Sequence, residues 1–340
     1  MRSFRPALPP RCRAVLALVG VLTGLSLAPA ASGTVYPPKR EIEAPGPQGM
    51  LHGTFQNVSK NDAPVVLIVP GSGPTDRDGN SPAGIKAASY SGLAFWLMIR
   101  GIASVRIDKR GMFASADAIA DPNAVTMGDY ANDVHAWTKA IVEKTGAPCV
   151  WVMGHSEGGT VALLAAANAE GEAARNICGV ITLAAPGRPL GTIMREQLRA
   201  NPANAPILDD ALGAIATLEE GRRVDTGGFH PALAALFAPA VQGFLIDSFA
   251  IDPPALIAEI SKPVLIVQGE EDIQVTPRDA RLLHAAKPDA TLALLPGVNH
   301  VLKDVPPGDR AANMASYANP SLPNARGVVD AITGFVMQHR

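Results

Sequence analysis

The hexapeptide GHSEGG, residues 154–159, lies between an apolar run and an Ala/Leu-rich stretch. Glycine at Gly154 and Gly158 suits a sharp strand-to-helix turn, because larger side chains there would crowd the neighbouring strand and helix. Such a turn presents the Ser156 hydroxyl as a nucleophile and directs N–H groups at the helix start, Glu157 first, towards an anionic intermediate. The pattern predicts nucleophilic catalysis by Ser156, and a serine that only caps a helix is the alternative.

A serine nucleophile needs an imidazole to take its proton and a carboxylate to orient that imidazole. Both are expected in loops after later strands. His300, one of seven histidines, follows the last predicted strand and is the predicted base. In the loop after the preceding strand, Asp272 is the predicted acid, with Glu270 and Glu271 as alternatives.

A second oxyanion donor is expected in PGSGP, residues 70–74, directly after an apolar strand. Glycines allow this backbone to approach a substrate closely. The N–H of Ser72 is the first candidate and that of Gly73 the second, together with the N–H of Glu157. A plain β-turn is the alternative for this loop.

Alternating strands and helices must position these residues. Apolar, β-branched runs predict strands that are buried on both faces, as in parallel sheets. The strands predicted in the main sheet are 65–69, 103–107, 149–153, 179–183, 263–268 and 291–295. A hairpin of two short strands, 40–44 and 50–55, is predicted before them from the turn-rich segment 45–49. Helices are predicted around 93–100, from Thr126 with a capping box to Asp129, after Ser156, from Thr276, and from Arg326. The sequence therefore predicts an α/β fold with a mostly parallel sheet and helices on both faces.

The alternation stops in residues 187–261, where the sequence predicts helices but no strand. We interpret this segment as a helical lid that emerges from the carboxyl end of a strand and covers the site. An additional packing layer is the alternative. The predicted core comprises residues 31–186 and 262–340.

The first thirty residues resemble an export signal. Four arginines precede the apolar run 14–27, and small residues offer a cleavage site after Ala30. The run is shorter than the roughly 20 residues that span a bilayer, which favours cleavage over an N-terminal anchor. We therefore predict a signal peptide at 1–30 and an exported protein, periplasmic or secreted, without a membrane span after processing.

Removal of this signal leaves two of the three cysteines, Cys149 and Cys178, near the starts of consecutive strands. An oxidising compartment would allow them to pair. Two small buried thiols are the alternative, because spacing does not reveal disulfide geometry.

The net charge of −2 shows no excess of basic residues that could bind phosphate groups, so nucleic acid is not an expected partner. The histidines lack close ligand spacing, and no metal site is predicted. We interpret Arg106, Asp108 and Arg110 as a structural ion-pair network. Three further charged residues follow the oxyanion loop, Asp76, Arg77 and Asp78. They either orient that loop or the pocket rim, or are solvated charges of a turn.

Five segments resemble motifs of α/β-hydrolases, and more narrowly of bacterial esterases near the serine aminopeptidase and dienelactone hydrolase branches. They are PGSGPTDRDG (70–79), RIDKRG (106–111), GHSEGG (154–159), GEEDIQV (269–275) and GVNH (297–300). The resemblance implies an α/β-hydrolase fold and ester hydrolysis through an acyl-enzyme, without metal or cofactor. One departure is MFAS at 112–115, where related chains often have another glycine and then serine.

The predicted function is a serine carboxylesterase for short, uncharged acyl esters, because the lid is apolar and lacks an Arg/Lys cluster. An exported serine peptidase is the alternative. It would need carboxylates to bind a peptide amine, for which Asp209, Asp210, Glu219 and Glu220 are candidates. An inactive binding scaffold is disfavoured, because all three catalytic residue types occur where the fold requires them.

Overall fold

Eight β-strands form one mostly parallel sheet in the computed structural model of the protein, which describes residues 38–58 and 62–340. The predicted signal peptide, residues 1–30, lies outside the described residues. Two short additional strands pair separately. The strands are β1 Lys39–Pro45, β2 Met50–Gln56, β3 Val65–Val69, β4 Asn80–Ser81, β5 Ile85–Lys86, β6 Ala103–Ile107, β7 Val150–His155, β8 Ile177–Leu183, β9 Val264–Gly269 and β10 Thr291–Leu295.

The strand order across the sheet is β1-β2-β6-β3-β7-β8-β9-β10. β2 pairs antiparallel with β1 and β6, and the remaining neighbours are parallel. Every residue of the central strands β3 and β7 is buried, as their uninterrupted apolar runs predict. Because parallel strands end at the same edge, the loops after β3, β7, β9 and β10 lie together there.

Helices cover both faces of the sheet, which confirms the predicted fold class. One face is covered mainly by the helices at 127–145, 157–167, 253–259 and 277–286, and the other by those at 89–99 and 326–338. The helices of the described residues are α1 Ser89–Ile99, α2 Met127–Thr145, α3 Glu157–Ala167, α4 Gly171–Asn176, α5 Leu190–Ala200, α6 Leu208–Glu219, α7 Pro231–Leu236, α8 Pro239–Phe249, α9 Pro253–Glu259, α10 Pro277–Ala286, α11 Arg310–Ser316 and α12 Arg326–Gln338. The capping box predicted at Thr126 is present, with Asp129 N–H donating to Thr126 Oγ1 over 3.0 Å.

Helices α5 to α8, which we term the insertion, have an apolar cluster of their own. Its buried members include Ile215, Leu218, Phe237 and Phe249. The following helix α9 lies within the predicted lid segment 187–261 but packs differently, since Ile257 is buried in the core beneath the sheet. Its role is therefore that of a core helix.

The charges around the loop after β6 form ion pairs, as the sequence predicted for this segment. Arg106 contacts Asp78 over 3.0 Å. Arg77 is mostly buried and contacts Asp108 over 2.8 Å, so it is not a solvated turn charge. Arg110 contacts Asp133 over 2.6 Å and Asp129 over 2.9 Å. Asp76 accepts the N–H groups of Asp78 and Asn80 and so holds its turn.

Candidate active site

Ser156 occupies the sharp turn between β7, which ends at His155, and α3, which begins at Glu157. Its backbone has φ 56° and ψ −125°, a conformation that is strained for a residue with a side chain. A Cβ at Gly154 would lie 1.9 Å from the Gly158 carbonyl oxygen, and one at Gly158 would lie 2.4 Å from that of Val69. Glycine at both positions is therefore a steric requirement of this turn.

His300 and Asp272 contact each other in the loops after β10 and β9. His300 Nδ1 donates to Asp272 Oδ2 over 2.8 Å, and both side chains are buried. The other carboxylate oxygen, Oδ1, accepts the N–H groups of Gln274 and Val275, and the Gln268 amide donates to Oδ2. This set of donors fixes the carboxylate against the imidazole.

The two neighbouring glutamates make different contacts. Glu270 is exposed. The Glu271 carboxylate accepts a hydrogen bond from the Gly308 N–H. Its backbone carbonyl accepts one from the Asn313 side-chain amide. Among the three acidic residues proposed for this loop, the structure places Asp272 against His300.

The loop after β3 passes directly beside Ser156. A Cβ at Gly71 would lie 3.2 Å from the Ser156 Cβ, so the absence of a side chain at Gly71 eases this close approach. In the described ranges, the N–H groups of Ser72 and Gly73 have no hydrogen-bond acceptor within the protein. The structure thus brings these two candidate donors and Glu157 around one serine, and their N–H groups remain open to a ligand.

Tyr90 and His155 link this loop to the His300 loop. Gly71 N–H donates to the Tyr90 hydroxyl over 3.2 Å, and that hydroxyl contacts His155 Nδ1 over 2.8 Å. His155 Nε2 faces the His300 carbonyl oxygen over 2.8 Å. Because a carbonyl only accepts, Nε2 carries the hydrogen and Nδ1 accepts from Tyr90. Burial, assisted by the neighbouring His300, lowers the pKa of His155 to about 3, so its ring is neutral.

Lys109 is buried on the other side of the same loop. Its ammonium donates to the Gly71 carbonyl over 2.7 Å and lies 3.4 Å from the Glu157 carboxylate. Sequence reasoning assigned no role to Lys109, Tyr90 or His155. His155 and Lys109 lie inside the quoted motifs GHSEGG and RIDKRG, whereas no sequence signal singles out Tyr90.

Among the described residues, Ser156 lines two cavities. The smaller, about 60 Å³, is also lined by His300, Tyr90 and Ser72. The larger, about 1000 Å³, lies between the sheet edge and the insertion. Its lining is mostly apolar and includes Leu236 and Val241, which accounts for the exposure of these two side chains.

A third cavity of about 640 Å³ lies near Cys149 and Cys178, at the amino ends of the strands. None of the candidate catalytic or oxyanion residues lines it. Across residues 38–58 and 62–340, no group of three His, Cys, Asp or Glu side chains is arranged to hold a metal ion. Nor does any helix in these ranges have the length and apolar character needed to cross a bilayer.

Residues 65–316 match the alpha/beta hydrolase family. The chain belongs to this family. This α/β hydrolase is also similar to the esterase EstD of Thermotoga maritima, with 29% identity over 225 residues that cover 64% of the chain and 49% of EstD. It therefore spans about half the length of this curated relative.

Two solved structures share the fold. The α/β hydrolase GrgF from Penicillium sp. sh18 has a TM-score of 0.56 at 20% identity, covering 89% of this chain and 99% of GrgF. The proline iminopeptidase of Mycobacterium smegmatis has a TM-score of 0.54 at 15% identity, covering 89% and 98%. At these identities the likeness concerns the fold alone, and the narrower branch resemblance stays a prediction.

Proposed function

We propose that this α/β hydrolase cleaves carboxylic esters through an acyl-enzyme, with Ser156 as nucleophile, His300 as base and Asp272 as its orienting acid. The observation that carries the proposal is the 2.8 Å contact between His300 Nδ1 and Asp272, beside a cavity that His300 shares with the strained Ser156. With Nδ1 engaged by Asp272, Nε2 is the nitrogen left for the serine proton. Similarity to an esterase supports the same reaction class.

In the proposed first step, Ser156 Oγ attacks the ester carbonyl carbon while His300 Nε2 takes the hydroxyl proton. The negative oxygen of the tetrahedral intermediate accepts hydrogen bonds from the N–H groups of Ser72 or Gly73 and of Glu157. Collapse of the intermediate breaks the ester bond, and the departing alcohol takes the proton from His300. Water then attacks the acyl-enzyme, with His300 as base, and releases the acid and free Ser156.

The two cavities suggest how an ester is oriented. The departing alcohol must lie near His300, which donates its proton, and His300 lines the smaller cavity. We therefore place the ester oxygen of the alcohol towards this cavity and the acyl group in the larger cavity beneath the insertion. A short acyl group stays the prediction from the sequence, but a volume of about 1000 Å³ exceeds what acetate requires. We expect the preferred acyl group to be longer than acetate, between butyrate and octanoate.

Peptidase activity is the second candidate, and the carboxylates proposed to bind a peptide amine lie away from Ser156. Glu219 pairs with Arg195 over 2.5 Å, and Glu220 pairs with Arg222. Asp209 and Asp210 are exposed in the first turn of α6. Within the described ranges, none of these four lines either cavity at Ser156, and the one carboxylate that does, Glu157, faces Lys109. These contacts favour an ester over a peptide with a free amine.

We also propose export, on the N-terminal sequence pattern and on the disulfide between Cys149 and Cys178, which suits an oxidising compartment. Mass spectrometry of the protein recovered from the periplasm or medium tests this proposal. An N-terminus at Ala31 is expected, and an unprocessed cytosolic chain would contradict export.

The reaction is tested with p-nitrophenyl esters from acetate to decanoate and with alanyl and prolyl anilides. We expect Ser156→Ala to lower kcat/KM for esters by at least about 10⁴-fold, and Asp272→Asn by about 10³- to 10⁴-fold, because the imidazole loses its orienting charge. Glu270→Gln is the matched control in the same loop and should leave kcat/KM unchanged. Faster cleavage of anilides than of esters would instead establish the peptidase.

A further inference from the structure

The Lys109 ammonium is the one buried cation that touches the loop beside Ser156 in the described part of the chain. Its side chain is 3% exposed, and it donates to the Gly71 carbonyl over 2.7 Å. It also lies 5.2 Å from the centre of the Tyr130 ring. A cation this deeply buried is unfavourable unless it is well paired, so its contacts indicate where its charge acts.

The Gly71 carbonyl belongs to the same peptide group as the Ser72 N–H, the first candidate for the oxyanion donor. The preceding peptide is held as well, because the Gly71 N–H donates to the Tyr90 hydroxyl over 3.2 Å. Two buried side chains from separate elements thus hold Gly71 on both sides. Since a Cβ at Gly71 would lie 3.2 Å from the Ser156 Cβ, this fixes the donor loop directly against the nucleophile.

A cation at a carbonyl oxygen draws electron density towards that oxygen and leaves the N–H of the same amide more positive. This polarisation is strongest where water is excluded, as in chains of hydrogen bonds in protein interiors. We propose that Lys109 is a positioning residue that holds the Gly71–Ser72 peptide and strengthens Ser72 N–H as an oxyanion donor. The inference rests on the proposed ester hydrolysis at Ser156.

Lys109 also contacts Glu157, the residue at the start of α3 that offers the other candidate oxyanion donor. Glu157 provides the other candidate N–H, and its carboxylate, 11% exposed, lies 3.4 Å from the Lys109 ammonium. Without this cation, the carboxylate would place an uncompensated negative charge near a developing oxyanion. Lys109 therefore contacts both segments that carry candidate donors, and its charge offsets that of the Glu157 carboxylate.

Removal of the ammonium tests the proposal. Lys109→Met keeps an unbranched apolar side chain that is one atom shorter. Lys109→Gln keeps an uncharged N–H donor, and Lys109→Met with Glu157→Gln also removes the unpaired carboxylate. Lys303→Met is the matched control, because Lys303 is another buried lysine that donates to a backbone carbonyl, that of Leu322. Circular dichroism and thermal melts establish which variants fold, and kcat and KM are measured with p-nitrophenyl butyrate.

We expect Lys109→Met to lower kcat by about 10- to 100-fold while KM changes less than about threefold, because the interaction strengthens in the transition state. The inhibition constant of a trifluoromethyl ketone, which forms an anionic adduct with a nucleophilic serine, should rise by the same factor. Lys109→Gln should lose less activity than Lys109→Met. In Lys303→Met, kcat per folded molecule should equal that of the wild type.

Three results would overturn the inference. The first is an unchanged kcat and ketone affinity in the Lys109 variants that fold. The second is a rise in KM with kcat constant, which would mean that Lys109 only shapes the substrate cavity. The third is a wild-type protein that neither hydrolyses any ester nor binds the ketone, which removes the proposed function together with this inference. Ester activity in the wild type separates the first two results from the third.

Discussion

His155 is a buried histidine next to the nucleophile whose ring is held between a phenol and a backbone carbonyl. Tyr90 donates to its Nδ1, and its Nε2 donates to the His300 carbonyl. The ring also packs against that of His300, with 4.8 Å between ring centres. A protonated His155 would lose the bond from Tyr90 and carry an unpaired charge in the interior. The neutral ring thus keeps the loops of Gly71, Ser156 and His300 together.

The low pKa of His155 makes stability depend on pH. Between pH 6.5 and about 3 the unfolded chain binds a proton at this residue and the folded chain does not. Falling pH therefore favours unfolding, by up to about 1.4 kcal/mol per pH unit from this one group. We expect His155→Gln to remove this component, so the stability difference between wild type and variant shrinks as the pH is lowered from 6.5 to 4.

Urea unfolding at half-unit pH steps measures this difference. The matched control is His284→Gln, since His284 is half-buried in α10, away from Ser156. If the free energies of unfolding of the wild type and His155→Gln differ by the same amount across this pH range, the result would contradict a buried neutral histidine. The same difference is expected to be largest above pH 6.5, where the unfolded chain no longer binds this proton either.

The insertion is attached to the core through the first turn of α10. The Asp279 carboxylate is buried and accepts two bonds from Arg188, of 2.9 and 2.8 Å, and a third from the Gly187 N–H. Glycine is required at position 187, because a Cβ there would lie 2.0 Å from the Asp279 carbonyl oxygen. Asp279 also caps α10 at Thr276. One carboxylate therefore starts a core helix and fixes the segment that leads into the insertion.

Asp279→Asn should lower the free energy of unfolding by about 3 to 5 kcal/mol, because it leaves the buried Arg188 with only the exposed Glu196 as a charged partner. The exposed pair between Lys139 and Glu172, 3.0 Å apart, offers a comparison. Glu172→Gln should lower it far less, because water screens an exposed pair. Chemical denaturation of both variants gives the two values, and equal losses would show that burial of the Arg188 pair has no influence.

At the scale of the whole fold, the nucleophile turn lies at the carboxyl ends of the strands and the disulfide lies at their amino ends. Cys149 and Cys178 are bonded at the amino ends of β7 and β8, with 5.1 Å between their Cα atoms. The 29-residue separation encloses β7, the Ser156 turn, α3 and α4. The covalent link therefore closes the chain segment that forms the nucleophile turn.

Replacement of both cysteines by alanine should lower the free energy of unfolding by about 3 to 4 kcal/mol, since the unfolded chain regains the entropy of an open loop of this length. The wild type in reducing agent should show a similar loss, and the double variant should not respond to reducing agent. Identical unfolding midpoints of the wild type with and without reducing agent would contradict a stabilising disulfide.

Local sterics and periodicity account for what could be predicted from the sequence. The eight main strands occur within two residues of their predicted bounds. Continuous apolar runs mark the strands that are buried on both faces, such as β3 and β7. The hairpin of β1 and β2 was predictable from the turn-rich segment between them. The turn at Ser156 was predictable because glycine is required on both sides of it. Asp272 and His300 could be chosen because the loops after β9 and β10 meet at the sheet edge where β7 ends.

The tertiary structure decided which distant side chains meet in this framework. Tyr90 lies 65 positions from His155, and Lys109 lies 38 positions from Gly71, so neither contact has a local pattern that reveals it. Pairing of the two cysteines and the packing of Ile257 into the core likewise depend on how separate elements come together. Sequence periodicity determines which face of an element is buried, whereas the partner it meets is determined by the packing of the whole chain.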